Sequence, residues 1–392
     1  MLVYNNNLLD NRLNSIIRDF GLNYNYKSDL LYIIYHLRTY PFKNREFSSE
    51  DFIPIKLDYL RNLITYNKTK YFLDLLVKEE VLVCDNKYEV GVKSKGYKIA
   101  DKYKKQKFYL EEMENKALSS KIEKVLKLIK DEVIQRNDSY SYVTVCMENL
   151  KIDNVKANKI LNSKKILKGT KDSMKTMLDR FDDKFATVDN TGNRLHNNLT
   201  NIATILRKAL NYNGKTLVQC DLKNSQPLLF RVYLNKYPHI PKEELDKYLD
   251  VVCNIGFYEF FAKKMGVKLN DKNRTEFKKK VFGGVLFDKN RRNLSKYEKV
   301  FKQEFPIIFY CMRDMKKENH ADIPINLQKL ESHFIFHCID VLRDKYKNIE
   351  LLTIHDSICT VEGKEQLIYD VMIEEFQKMF NILPKIKIEK FA

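Results

Sequence analysis

The chain has 392 residues, length enough for two or three domains and a sizeable core. Its 44% hydrophobic content is ordinary for a globular protein, and no run of eighteen apolar residues occurs, so no membrane-spanning helix is expected. Lysine and arginine number 70 against 52 acidic residues, a net charge of +18 that suits a phosphate-rich partner such as nucleic acid, though the same excess also serves as solubility charge.

The opening segment, "MLVYNNNLLDNRLNS", has no basic region followed by an apolar stretch, so no secretory signal is expected and a cytoplasmic location follows. The seven cysteines are dispersed, with no C-x-x-C pair. That pattern argues for reduced thiols rather than a disulfide frame or a zinc site. Cys220 and Cys359 lie in strand-like runs, where a small buried apolar side chain is the natural role.

Residues 29–99 read as a small domain. "LDYLRNLI" and "NKTKYFLDLLVKEEVL" have helical apolar spacing, with Asn67 as an N-cap. "VLVCDN" and "KYEVGVKSKGYKI" then read as strands around turns. Two helices followed by a β-hairpin carrying Lys93, Lys95 and Lys98 suggest a winged helix, with its second helix in a groove and its hairpin on phosphates. A plain helical domain with a surface hairpin, or a protein-interaction module, fits the same pattern. Residues 101–190 are mostly helical and strongly charged. "KALSSKIEKVLKLIKDEVIQ" sets apolar residues at helical intervals beside a lysine-rich face, as a solvated connector or a helix lying along a duplex would.

From 191 onward strand and helix signals alternate. "KTLVQCDL" and "IELLTIHDSICTV" read as strands, "KEQLIYDVMIEEFQKMF" as an amphipathic helix, and "PKIKIEKF" as a half-exposed closing strand. Asp221 and Asp356 share one local design: a hydrophobic strand delivers one acidic residue at its edge or tip. A buried carboxylate is costly unless paired or metal-bound. Two such strands side by side would hold hard divalent cations, and two ions about 3.5–4 Å apart can activate a hydroxyl and stabilise a leaving pyrophosphate. Each aspartate taken alone is more simply a strand-end residue bonded to a turn. Between them, in "NRTEFKKKVFGGVLF", Arg274, Lys278 and Phe282 recur every fourth residue and form one helical stripe. Two cations and a ring suit a nucleoside triphosphate; a basic surface helix is the alternative.

With these blocks in hand, residues 191–392 resemble the polymerase domain of family A DNA polymerases and of their relatives, the single-subunit phage-type RNA polymerases. "TGNRLHNNLTNI" is similar to the segment that holds the primer–template minor groove, with Arg194 in the place of its arginine. "VQCDLKNSQPLLF" resembles motif A, with Asp221 as its metal ligand. "RTEFKKKVFGG" resembles motif B, with Arg274, Lys278, Phe282 and Gly283 in register. "TIHDSICT" resembles motif C, with His355 and Asp356 as the signature pair. "INLQKLESHFIFHCIDVL" looks like the helix that starts with a glutamine near the template, here Gln328.

The departures are specific. Leu286 stands where motif B has a tyrosine, with Phe287 one residue later. Gln226 stands where the DNA enzymes have a glutamate that closes the space of a ribose 2′-OH. Motif C reads His-Asp-Ser, as in the RNA polymerases. The first sugar feature leans to deoxynucleotides and the last to ribonucleotides; the steric one, which touches the sugar, carries more weight.

The resemblance implies a right-hand polymerase palm and fingers over 191–392; with the patterns ahead of it, the expected α+β fold has a helical connector or thumb-like region over 106–190 and a winged-helix-like domain over 1–105. It implies template-directed nucleotidyl transfer by a compact DNA polymerase of a phage or other mobile element, with no 3′→5′ exonuclease module. Asp221 and Asp356 would hold two Mg²⁺ ions, with Mn²⁺ as an alternative, and Lys278 would protonate the leaving group. Arg274, Lys278, Phe282 and Gln226 would bind the nucleotide. Arg194, Gln328, His355 and Asn224 would touch primer or template. Partners would be primer–template or promoter DNA and nucleoside triphosphates, with the N-terminal part free to locate an origin, a promoter or a protein partner. Two other readings remain: an RNA polymerase or primase-like enzyme, and a non-catalytic DNA-binding replication protein on a degenerate polymerase fold.

Overall fold

The computed structural model describes the chain except residues 45–46, 49, 90–93, 164–167, 271–272 and 392. The fold mixes α-helices with antiparallel sheets and divides into two compact units, each discontinuous in sequence, in place of three consecutive segments. The physical reason is that the charged middle region has no core of its own. Its helix Asp138–Met147 packs on helix Asp322–Lys345 of one unit, while its helix Lys168–Asp179 packs on helix Tyr26–Lys43 of the other.

The first unit holds Met1–Arg136, Lys151–Thr187 and Asn197–Leu210. Its central helix, Tyr26–Lys43, buries Leu30, Tyr32, Ile33, Ile34 and Leu37, apolar on nearly every side, as a helix at the middle of a core must be. Strand Ile53–Pro54, helices Leu57–Leu63 and Thr69–Lys78, and strands Leu82–Cys84 and Gly96–Ile99 follow. The last strand lies in the middle of a three-stranded antiparallel sheet, pairing Ile53 with Tyr97 and Val83 with Lys98. Pro54, which has no N–H to give, sits on an edge strand.

Asn67 is not the N-cap of the second helix. Tyr66–Lys68 forms a 3₁₀ turn that runs straight into Thr69–Lys78, Lys68 takes the cap position, and Thr69 Oγ1 donates back to Thr65 O at 3.0 Å. Of the three expected hairpin lysines, Lys95 is exposed, Lys98 lies over the Phe52 ring at 4.8 Å, and Lys93 lies outside the described residues.

The second unit holds Asn137–Leu150, Val188–His196 and Asn211–Ala392. Its centre is a four-stranded antiparallel sheet in the order Leu352–Ile354, Ser357–Val361, Leu217–Leu222, Ile386–Lys390. Every residue of Ser357–Val361 is buried, whereas Leu217–Leu222 alternates and Ile386–Lys390 is mostly exposed. Helix Glu365–Phe380 packs across three of the strands, and Asp322–Lys345 packs on helix Ser225–Tyr233. The stretch read as one strand over 351–361 is two strands. His355 and Asp356 form the turn between them, with His355 at φ 51°. The apolar runs on either side each supply a strand, and the two polar residues occupy the bend.

Beyond the sheet, helices Lys242–Asp250, Phe257–Lys264, Arg274–Phe282, Lys296–Glu304 and Pro306–Met315 share an aromatic core. Tyr248 and Phe305 have ring centroids 5.3 Å apart, Phe257 and Phe261 4.9 Å, Phe301 and Phe305 5.3 Å. Two π-helical turns, Val251–Gly256 and Gly283–Phe287, interrupt this helical layer. Such turns are rare and gather at functional sites.

Candidate active site

The sheet register brings the two aspartates together. Asp221, next to last on its strand, is the ladder partner of Ser357, and Leu222 N–H donates to Asp356 O at 3.2 Å. Asp356 reaches this point from the hairpin turn. The left-handed backbone of His355 costs about 1–2 kcal/mol for a residue with a Cβ, and it turns the chain so that Asp356 stands at the strand end.

Burial, first, and then the charge of Asp356 raise the Asp221 carboxyl above its usual range. Burial raises Asp356 also, opposed by the Ser225 hydroxyl, which donates to Asp356 Oδ2 at 2.6 Å. Two repelling, desolvated carboxylates are hard oxygen donors in the number that Mg²⁺ usually takes from protein, the remainder coming from water and substrate phosphates. Among the described residues, no group of three or more His, Cys, Asp or Glu side chains forms a metal cage.

A third carboxylate completes the electrostatics. Glu331, 2% exposed, projects from helix Asp322–Lys345. Its Oε1 accepts from Arg194 Nε at 2.9 Å and also from the other guanidinium arm, and its Oε2 accepts from Gln226 Nε2 at 2.5 Å. Ser225 Oγ lies 3.4 Å from the same Oε2, so one hydroxyl stands between Asp356 and Glu331. Burial pushes the Glu331 carboxyl up to about 7 against the opposing pull of Arg194, with Asp356 adding to the rise.

The Arg274–Phe282 helix keeps its stripe. Arg274 pairs with Glu259, Lys278 Nζ lies over the Tyr258 ring at 4.9 Å, and Phe282 meets Tyr258 at 6.3 Å. All three stripe residues thus share neighbours at 258–259. Burial and the adjacent Arg274 lower the Lys278 ammonium, while the charges of Glu259, Asp221 and Asp356 act to raise it. Phe287 stacks edge-on against Phe282 at 4.7 Å, and Leu286, in the tyrosine's place, is fully buried.

The "TGNRL" segment is built around Asp189. Its carboxylate accepts from Thr191 N at 2.9 Å, from Arg194 N at 3.0 Å and from Gly192 N, with His196 Nε2 at 3.3 Å. Burial would raise Asp189, but these donors outweigh it and hold the carboxyl below its usual range. His196 faces His355 edge-on at 5.8 Å. Gly192 abuts Gln328: a Cβ there would stand 2.7 Å from Gln328 Oε1 and 2.8 Å from its Cβ.

Asp221, Asp356, Gln226, Arg194, His355 and Lys278 therefore lie in one connected neighbourhood. Asn224 does not join it by its side chain. In the left-handed conformation ahead of helix Ser225–Tyr233, it gives its amide to Val252 O at 3.0 Å and ties down a π-helical turn.

Sequence reasoning missed Glu331, Ser225, Tyr258, Glu259, Asp189 and His196. Glu331 had a signal: it interrupts the buried stripe Leu327, Ile335, Ile339 of its helix, where an acid has no reason to be unless held. Tyr258 and Glu259 had none, because their helix reads as ordinary aromatic core.

No protein-family model matches the chain, and no curated protein matches it. Among solved structures it is similar to the POL domain of Pol1 from M. smegmatis, in complex with DNA primer-template and dNTP. That likeness has 12% sequence identity and a TM-score of 0.45, and covers 70% of this chain and 73% of that one.

Proposed function

We propose that this protein is a template-directed nucleotidyltransferase, a compact DNA polymerase. The supporting observation is the meeting of Asp221 and Asp356 at adjoining strand ends, with Lys278 near enough for both charges to act on it. Asp221 and Asp356 would hold two Mg²⁺ ions, or Mn²⁺ in their place. Bound there, such ions would supply the chemistry of lowering the pKa of a primer hydroxyl and neutralising the triphosphate and leaving pyrophosphate. Arg274 would exchange Glu259 for a phosphate oxygen. Lys278, whose burial eases loss of its proton, would protonate the departing pyrophosphate. Phe282 would pack beside the base or sugar, and Gln226 would meet the sugar. Arg194, Gln328 and His355 would face primer or template; Asn224, with its amide engaged, leaves that set.

The first unit supports a DNA- or partner-locating role. Its order of helix, strand, two helices and two strands, with the last strand central, is the winged-helix order. Helix Thr69–Lys78, the third helix of that order, exposes Lys70, Tyr71 and Lys78. This part would find an origin, a promoter or a protein partner.

Primer extension with labelled dNTPs tests the reading. Magnesium-dependent incorporation is expected in the wild type and its loss in Asp221→Ala and Asp356→Ala. Incorporation that survives both substitutions sinks it. The second reading, RNA synthesis, is favoured by Ser357 after Asp356; product from rNTPs alone, or without a primer, would establish that reading instead.

A further inference from the structure

The Gln226 side chain carries an anomaly. Its Nε2 is bonded to Glu331, yet its Oε1 is buried with no hydrogen-bond partner. A buried, unpaired amide oxygen costs on the order of 1–3 kcal/mol, and such atoms call for an explanation. The orientation of the amide follows from chemistry. An ionised carboxylate accepts only, so the amide must turn its nitrogen toward Glu331 and its oxygen the other way. Glu331 is itself held, because Nε and one terminal nitrogen of the Arg194 guanidinium both donate to its Oε1.

We propose that Glu331 is a positioning residue for sugar recognition: it fixes the Gln226 amide with the oxygen presented, so that the site offers an acceptor to a hydroxyl of the incoming nucleotide. This rests on the polymerase reading. Gln226 follows Ser225, whose hydroxyl is on Asp356, so the amide belongs to the metal-ligand neighbourhood. A hydroxyl of the nucleotide can donate to Oε1 and leave the bond to Glu331 intact. Two hydroxyls share this chemistry, the 2′-OH and the 3′-OH of the sugar.

The test exploits the polarity of the pair. In Glu331→Gln, the new amide keeps its oxygen on Arg194 and turns its NH₂ to Gln226. Gln226 must then flip and present a donor in place of an acceptor. Single-nucleotide incorporation at about pH 8 is measured with dNTP, ddNTP and rNTP; the dNTP/ddNTP ratio of kcat/KM reports the 3′-OH and the rNTP/dNTP ratio the 2′-OH.

One of the two ratios is expected to change about tenfold in Glu331→Gln, the size of one ordinary hydrogen bond. The reversed pair, Gln226→Glu with Glu331→Gln, presents a carboxylate acceptor again and is expected to restore it. A purely structural role for Glu331 would lower all three substrates alike and leave both ratios unmoved, which overturns the inference. Should Glu331→Gln fold poorly by circular dichroism, Gln226→Leu removes the acceptor at similar volume, and unchanged ratios there overturn it equally. A wild type that incorporates none of the three defeats the polymerase reading instead.

Discussion

At the scale of single residues, the cations that would meet a triphosphate are already engaged. Arg274 is bonded to Glu259, and Lys278 rests on the ring of Tyr258. On the proposed reading, Glu259 holds the place of a phosphate, and a triphosphate would have to displace it. The geometry of the contact is prepared: Gly256, at φ 96°, leaves room that a Cβ would fill 2.6 Å from Glu259 Oε2. Both partners are partly exposed, with 43% and 40% of their side-chain surface accessible, so the pair is worth about 0–1 kcal/mol. Glu259→Gln is therefore expected to lower the KM for nucleoside triphosphates by up to about fivefold, with kcat little changed. Steady-state kinetics on a primed template decides it; a KM that rises or stays put shows that Glu259 does not compete with substrate.

At the scale of elements, the site depends on a loop pressed against a helix. The Asp189 carboxylate gathers three backbone N–H groups and shapes the turn that carries Gly192 and Arg194, and Gly192 lies directly on Gln328. Gly192→Ala is expected to push this turn off helix Asp322–Lys345 and to break the bond from Arg194 to Glu331. Because the clash includes Gln328 Cβ, adding Gln328→Ala leaves it in place, whereas adding Gln328→Gly relieves it. Thermal melts of the three variants check this order: recovery of Tm by Gln328→Ala would place the strain elsewhere. Elements of this kind divide what was legible in the sequence from what was not. The strand Leu217–Leu222, the helix Glu365–Phe380 and the every-fourth-residue stripe of Arg274–Phe282 follow from local apolar periodicity, and periodicity is written in the chain. The hairpin turn at His355–Asp356 was misread as strand interior because β-branched and apolar residues flank it without a glycine or asparagine to mark the bend. The neighbourhood of Glu331, Ser225 and Arg194 joins residues more than a hundred positions apart, and no local pattern encodes such a meeting.

At the scale of the whole molecule, the cluster of acids sets a conflict between stability and function. Asp221, Asp356 and Glu331 all have carboxyls raised by burial, so the folded chain binds more protons than the unfolded chain wherever these groups titrate. For Glu331 that window runs from its ordinary 4.5 up to about 7. A carboxyl raised on folding favours the native state while it is protonated. Its contribution therefore falls as pH rises through this window, the reverse of a carboxylate held low, as Asp189 is. Without divalent cations, then, Asp221→Asn removes one of two repelling charges and is expected to melt higher than the wild type at neutral pH. The gap should narrow as pH falls below about 7, where the wild-type Asp221 carboxyl takes up its proton. Excess magnesium is expected to reverse the order. A ligand bound only by the folded chain stabilises by about 2.7 kcal/mol at a hundred times its dissociation constant, and the wild type keeps both carboxylates to bind it. Differential scanning calorimetry of the two proteins, with EDTA and with excess Mg²⁺, should show the melting temperatures cross. Parallel curves that ignore magnesium would mean that the two aspartates hold no metal, and the catalytic reading would fall with them.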